Sequence, residues 1–300
     1  MQGPGLIALA AALWGVDGVL RRSLFSLQPL QIVFYEHLLG FALLLPVWWP
    51  RVKQTKLNQR LVTALAGVSL LSGLLGTLWF TTALLKVQFI PFSVVFLLQK
   101  LQPVFAVLGA RLILGERLER DYFKWAGLAV VAAYFVTFPL GRVNLDTGAG
   151  TLAAAGYAVL AAAAWGFSTA LSRYLLNYMP DSLVVGWRFG LTSLWAGLGL
   201  LLTRFWLWPG DLSTSQWGSL LAISLSTGMV ALWIYYRGLQ MTEVKVSTIT
   251  ELIFPLTAVL IDYWVYGQWL HWSQYLAGAV MLLAISLLVR SRMKYEVLAD

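Results

Sequence analysis

Leu13-Trp14-Gly15-Val16 recurs as Ala164-Trp165-Gly166-Phe167, 151 positions further along the chain. Pro103 followed by Gly115-Glu116 recurs as Pro255 followed by Gly267-Gln268, 152 positions further. With a two-residue gap, Leu78-Trp79-Phe80 matches Leu232-Trp233-Ile234, and at the proline offset Glu36 matches Arg188. A single shared Trp-Gly pair would be chance in a chain rich in Leu, Ala and Trp. Several pairs, in order and at nearly constant spacing, are the mark of a duplication. Each copy has room for five apolar helices. Five is odd, so the second copy enters the membrane upside down relative to the first, and two inverted halves around a midplane site is the plan of a secondary transporter.

Composition points the same way. Of 300 residues, 59% are hydrophobic and 11% charged, and the mean hydropathy is +0.75. Soluble domains carry roughly 25% charged residues. Apolar runs of span length follow one another with little between them, which describes a multi-pass membrane protein whose partners are the lipid bilayer and a small molecule. The net charge of +8 would suggest nucleic acid in a soluble chain; here it reads as loop bias, and no nucleic-acid partner is expected. There is no cysteine and only two histidines, His37 and His271, so disulfides, thiolate chemistry and a His-based zinc site are not expected. Neither a cofactor nor a removable leader is expected.

The predicted fold is all-α, with ten transmembrane helices as two inverted five-helix repeats. The expected spans are 5–20, 30–49, 61–85, 89–114, 122–140, 151–176, 182–205, 217–239, 244–266 and 272–289, so the repeats occupy 1–143 and 151–290, with a cytoplasmic tail at 291–300. Ten crossings put both termini on one side. That side collects fourteen Lys and Arg and the other five, so both termini are predicted to be cytoplasmic.

An ionisable group inside a span costs roughly 2.5–3.5 kcal/mol on insertion scales and needs a reason. Glu36 and Arg188 are equivalents under the repeat and are expected to pair or to lie close across a central cavity, either as a static bridge or as substrate or proton ligands. Asp17 and Arg21 are four apart on one helix face with Trp14, as a local pair or as a lining of the exit path. Gln99, Lys100 and Gln102 precede Pro103, and Glu251 precedes Pro255. A proline frees the carbonyl four residues earlier, so both sites read as a packing kink or as a hinge with substrate contacts. Asp17, Glu36 and Glu251 are the candidate proton carriers.

The inner tryptophans Trp14, Trp79 and Trp165 each have a copy in the other half and are expected to wall the cavity. Trp48, Trp49, Trp206, Trp208, Trp217, Trp269 and Trp272 sit at span ends as interface belts. Gly186 with Gly190, and Ala154, Ala158 and Ala162, read as close helix contacts within a monomer or in a homodimer. His37 points away from Glu36 and reads as structural or lipid-facing.

Trp14-Gly15, its copy Trp165-Gly166, Pro103, Leu114-Gly115-Glu116-Arg117-Leu118, and Glu251, Pro255 and Gly267-Gln268 resemble the drug/metabolite transporter superfamily, specifically its EamA-type members with ten helices. The family's usual pattern has Glu after the second glycine as well; Gln268 departs from it. The resemblance implies export or exchange of small metabolites, commonly amino acids including aromatic ones, by alternating access across a bacterial-type cytoplasmic (inner) membrane. Export of cationic drugs or lipids, and a non-transporting scaffold, are the alternatives. Enzymatic activity is not expected, because no nucleophile, metal cluster or phosphate-cradling loop is present. The substrate-binding candidates are therefore Trp14, Glu36, Trp79, Gln99, Lys100, Trp165, Arg188 and Glu251, with Pro103 and Pro255 as hinges.

Overall fold

The computed structural model describes residues 2–24, 26–53, 55–87, 94–145, 148–206, 208–267 and 269–299. Phe89, the expected start of the fourth span, Gln268 and Asp300 lie outside the described residues. In chain order the helices are α1 Gln2–Arg22, α2 Pro29–Val52, α3 Gln59–Val68, α4 Thr77–Lys86, α5 Val94–Gln99, α6 Gln102–Gly109, α7 Arg120–Thr137, α8 Thr151–Leu176, α9 Asp181–Thr203, α10 Thr214–Leu225, α11 Met229–Gln240, α12 Val244–Thr250, α13 Ile253–Tyr266 and α14 Trp272–Ala299. No strand occurs among the described residues.

Among the described residues, nine helical stretches are long and apolar enough to cross a membrane. The fifth expected span, α7, is not one of them, because its start carries Arg120, Asp121 and Lys124. It nonetheless packs along α14. The helix of α14 runs on through the expected tail to Ala299.

The fourth and ninth spans are discontinuous. α5 ends at Gln99 and α6 starts at Gln102; α12 ends at Thr250 and α13 starts at Ile253. Pro103 and Pro255 lack the N–H that would bond Gln99 and Glu251, and their rings crowd those carbonyls. Each span ends on a left-handed glycine, Gly115 at φ 70° and Gly267 at φ 65°, where a side chain would strain the backbone. The eighth span also breaks, between α10 and α11, at Ser226-Thr227-Gly228. In the third span, a π-helical stretch at Ser69–Gly76 joins α3 to α4. Its loosened carbonyls find outside donors: Thr192 Oγ1 bonds the Ser69 carbonyl at 3.0 Å and Trp165 Nε1 bonds that of Ser72 at 3.2 Å.

Exchange of the repeats maps packing onto packing. α1 lies against α11 and α13 of the second repeat, and α8 lies against α4 and α6 of the first. The Trp-Gly pairs explain the exchange. A Cβ on Gly15 would stand 2.7 Å from Thr257 and 3.0 Å from the Ala258 nitrogen. A Cβ on Gly166 would stand 2.6 Å from Phe105 Cβ and 2.8 Å from the Ala106 nitrogen. Thr257 and Ala258 are the repeat equivalents of Phe105 and Ala106, so each glycine seats its helix at the same place on the other repeat. Gly186 and Gly190 likewise receive Trp48 and Phe41 of α2, which places that motif in a contact within the chain. Trp48 is therefore 7% exposed and stacked edge-on against Trp187 at 5.1 Å, in contrast to the interface position expected of it. Trp49, Trp208, Trp269 and Trp272 are exposed.

Gly166→Leu is expected to abolish a stable fold, because the obstructing atoms are backbone and a Cβ. Gly156, with nothing within 4 Å of its Cβ direction, is expected to gain about 0.5–1 kcal/mol as Gly156→Ala. Thermal unfolding of the two variants in detergent separates these outcomes.

Candidate functional site

A cavity of about 350 Å³ runs between the repeats and is lined by both. The helix breaks at Gln99–Gln102, Thr227-Gly228 and Glu251-Leu252 all open onto it. Three polar clusters are built on these breaks and on α1, α2 and α9.

The first sits at the end of α1. Arg21 Nε and Nη2 bond the two carboxylate oxygens of Asp17 at 2.7 and 3.2 Å, and Arg21 Nη1 bonds Glu36 Oε2 at 3.1 Å. Thr227, freed by the break before α11, donates to Asp17 Oδ1 at 2.7 Å. The Asp17–Arg21 spacing gives the expected local pair. The partner of Glu36 is Arg21; of the two arrangements expected for Glu36 and Arg188, a direct pair is not formed, and both side chains line the same cavity. His37, 3% exposed, is neither lipid-facing nor free: Nδ1 donates to the Val33 carbonyl at 2.9 Å and the ring lies 4.8 Å from that of Phe189.

The second cluster surrounds Glu251. Tyr235 donates to Oε1 at 2.6 Å, Ser247 to the same oxygen at 3.2 Å, and Gln102 Nε2 to Oε2 at 3.1 Å. The Tyr235 ring also packs on Trp14 at 5.1 Å. The third cluster is a relay: Arg188 Nη1 donates to Tyr236 at 3.0 Å, and Tyr236 shares a hydrogen bond with Ser172 at 2.8 Å.

Lys100 makes no ion pair with a carboxylate among the described residues; its ammonium stands 6.0 Å from the Phe254 ring centroid. Trp165 lies 5.2 Å from Phe80, which in turn lies 6.4 Å from Phe96. Trp14, Glu36, Gln99, Lys100, Trp165, Arg188, Glu251, Asp17, Pro103 and Pro255 thus share one cavity. Trp79 is outside its lining, and the next residue, Phe80, supplies the aromatic wall. Phe80 belongs to the repeated Leu78-Trp79-Phe80 stretch, in which the tryptophan reads as the wall residue; Thr227, Phe96, Tyr235 and Tyr236 lie outside the repeated motifs. Tyr235 and Tyr236 carry an apolar-run signal only, and Thr227-Gly228 is a short polar interruption that spans often tolerate.

At the start of α12 a charged latch joins the two repeats. Glu116 accepts from the backbone N–H groups of Val244 (2.8 Å) and Lys245 (3.2 Å). Lys245, 1% exposed, reaches across to Glu119 Oε2 at 2.9 Å and Glu243 Oε2 at 3.7 Å, and donates to the Arg117 carbonyl. Burial holds the Glu116 carboxyl above the usual carboxylate range, against the lowering effect of the two N–H donors.

The signature of the EamA-like transporter family matches residues 1–138 and again residues 152–290. The chain belongs to that family, within the drug/metabolite transporter superfamily, and is a multi-pass membrane transporter. It is 34% identical to the riboflavin transporter ImpX of Fusobacterium nucleatum over 291 residues, covering 95% of this chain and 96% of that one. It is 22% identical to an uncharacterized transporter of Archaeoglobus fulgidus, over 94% of each chain. A crystal structure of a 17% identical protein aligns with a TM-score of 0.76 over 96% of this chain and 98% of that one, which shows a shared fold.

Because the chain has no cysteine, single cysteines report the latch cleanly. Lys245→Met is expected to raise several-fold the labelling of Ser172→Cys by a membrane-impermeant maleimide added from the side of the termini. Unchanged labelling would show that the latch does not close that end.

Proposed function

We propose that this protein carries riboflavin, or a metabolite with the same flat heteroaromatic ring and hydroxylated tail, through the central cavity by alternating access. The observation that carries this reading is the lining itself. Its formal charges cancel, with Asp17, Glu36 and Glu251 set against Arg21, Lys100 and Arg188. A neutral or zwitterionic ligand therefore suits it better than a cationic drug or a phosphorylated flavin. Trp165, Phe80 and Phe96 on one side, and Trp14 with Tyr235 on another, offer faces for ring stacking. Ser72, Thr77, Thr81, Ser168, Thr169, Ser172 and Thr227 add hydroxyls that suit a polyhydroxylated tail. The volume falls in the roughly 300–1,000 Å³ range of small-molecule sites. The riboflavin transporter named above, similar along nearly the whole chain, supports the same class.

Amino-acid export is the second reading. Lys100 and Arg188, cations of the lining with no carboxylate partner among the described residues, and the carboxylate of Glu251 favour it, since together they match a zwitterion. In either reading the termini face the cytoplasm of a bacterial-type inner membrane, as the Lys and Arg distribution implies.

Counterflow in proteoliposomes tests the proposal. Labelled riboflavin is expected to accumulate against unlabelled riboflavin, with weak competition from flavin mononucleotide and none from a tenfold excess of mixed amino acids. Phe80→Ala is expected to weaken apparent affinity about tenfold, within the roughly 1–3 kcal/mol that one stacked ring contributes. Accumulation of amino acids with no riboflavin uptake would overturn the first reading in favour of the second. An imposed pH gradient in the same assay, repeated with Glu251→Gln and Glu36→Gln, reads proton coupling.

A further inference from the structure

The two proline breaks are equivalent by sequence and unequal in chemistry. At the offset of 152, Gln99 corresponds to Glu251 and Lys100 to Leu252. The second-repeat break is saturated, because Glu251 receives three side-chain donors, from Tyr235, Ser247 and Gln102. The first-repeat break is not. Gln99 Oε1 is buried without a hydrogen-bond partner, and so are the hydroxyls of Ser168 and Thr248 on the same cavity. Ser168 and Thr248 are each 1% exposed. Lys100 adds a cation with no carboxylate beside it among the described residues. An acceptor and a cationic donor left open at a helix break in a low-dielectric site are costly unless a ligand completes them.

Their neighbours say what kind of ligand. Phe96 lies on α5 one turn before Gln99, its last residue, and Lys100, the first residue of the break, and it begins the aromatic wall that continues through Phe80 to Trp165. A flat ring on that wall presents its edge to the break. The edge that matches is a cyclic imide, in which an N–H stands between two carbonyls.

We infer that Gln99 and Lys100 form the specificity subsite for the imide edge of the isoalloxazine ring. Gln99 Oε1 accepts from the ring N3–H, and the Lys100 ammonium donates to a flanking carbonyl. Glu251 is a positioning residue that fixes Gln102 and Tyr235 around the opposite break. This inference rests on the riboflavin reading and adds the orientation of the ring.

Binding of riboflavin and of N3-methylriboflavin to the purified protein, followed by quenching of tryptophan fluorescence, tests it. The methyl group removes the one donor that Gln99 would read and leaves the stacking surface intact. Wild-type protein is expected to bind the methylated ring at least about tenfold more weakly, the equivalent of one buried hydrogen bond. Gln99→Leu is expected to lose affinity for riboflavin by a similar factor while treating the two rings alike, and Lys100→Met to weaken both rings equally. Equal binding of the two rings by wild-type protein would overturn the subsite while leaving riboflavin as substrate. Absence of riboflavin binding would overturn the parent reading and the subsite with it. The wild-type comparison decides the matter even where a variant does not fold.

Discussion

Close approach of two helix pairs, α1 on α13 and α8 on α6, is the constraint on which the other features depend. In a bilayer the hydrophobic effect does not drive helices together, so van der Waals contact between backbones must do so. Gly15 and Gly166 permit that contact, and because each sits on the first helix of one repeat and meets the other repeat, neither half can close its packing alone. The exchange also sets Trp14 and Trp165, one residue before each glycine, against Tyr235 and Phe80. The aromatic walls are thus fixed by the same contacts that hold the halves together.

Polar groups are confined to the surface so created. With no water in the hydrocarbon region, every loosened backbone group needs an internal partner or a wet cavity. The π-helical stretch meets the first condition through Thr192 and Trp165, and the proline breaks meet the second. The Asp17–Arg21–Glu36 triad combines two carboxylates with one guanidinium, and Arg188 and Lys100 stand further along the same lining, so the balance of charge is held over the cavity as a whole rather than pair by pair.

Much of this was legible in the chain. Trp14-Gly15 with its copy predicted the duplication, the two prolines predicted the breaks, and the spacing of Asp17 and Arg21 predicted their pair. What symmetry does not give is contact. Glu36 and Arg188 are equivalent by offset, yet equivalence relates positions and only helices on the pseudo-axis must face each other at matching residues; Arg21, arriving from α1, reaches Glu36 first. Lys245 reads as one more loop cation until the fold brings Glu119 to it from 126 positions away. Trp79 and Phe80 differ by one step of about 100° around a helix, and a repeat pattern that marks both cannot say which one turns inward. The π-helical stretch has no sequence signature beyond its two glycines.

That stretch gives the third span slack. Loss of one residue of it to regular α-helix would turn everything beyond by about 100° and move it by about 1.5 Å along the axis. α4 carries Phe80, Thr81 and Leu84, all on the cavity, so a local change of winding within 69–76 would exchange one set of side chains on the wall for another and would remake the seats of Thr192 and Trp165 on the stretch. The third span can therefore act as a dial as well as a strut, and its partner across the pseudo-axis, interrupted at Thr227-Gly228 instead, would have to turn by another means.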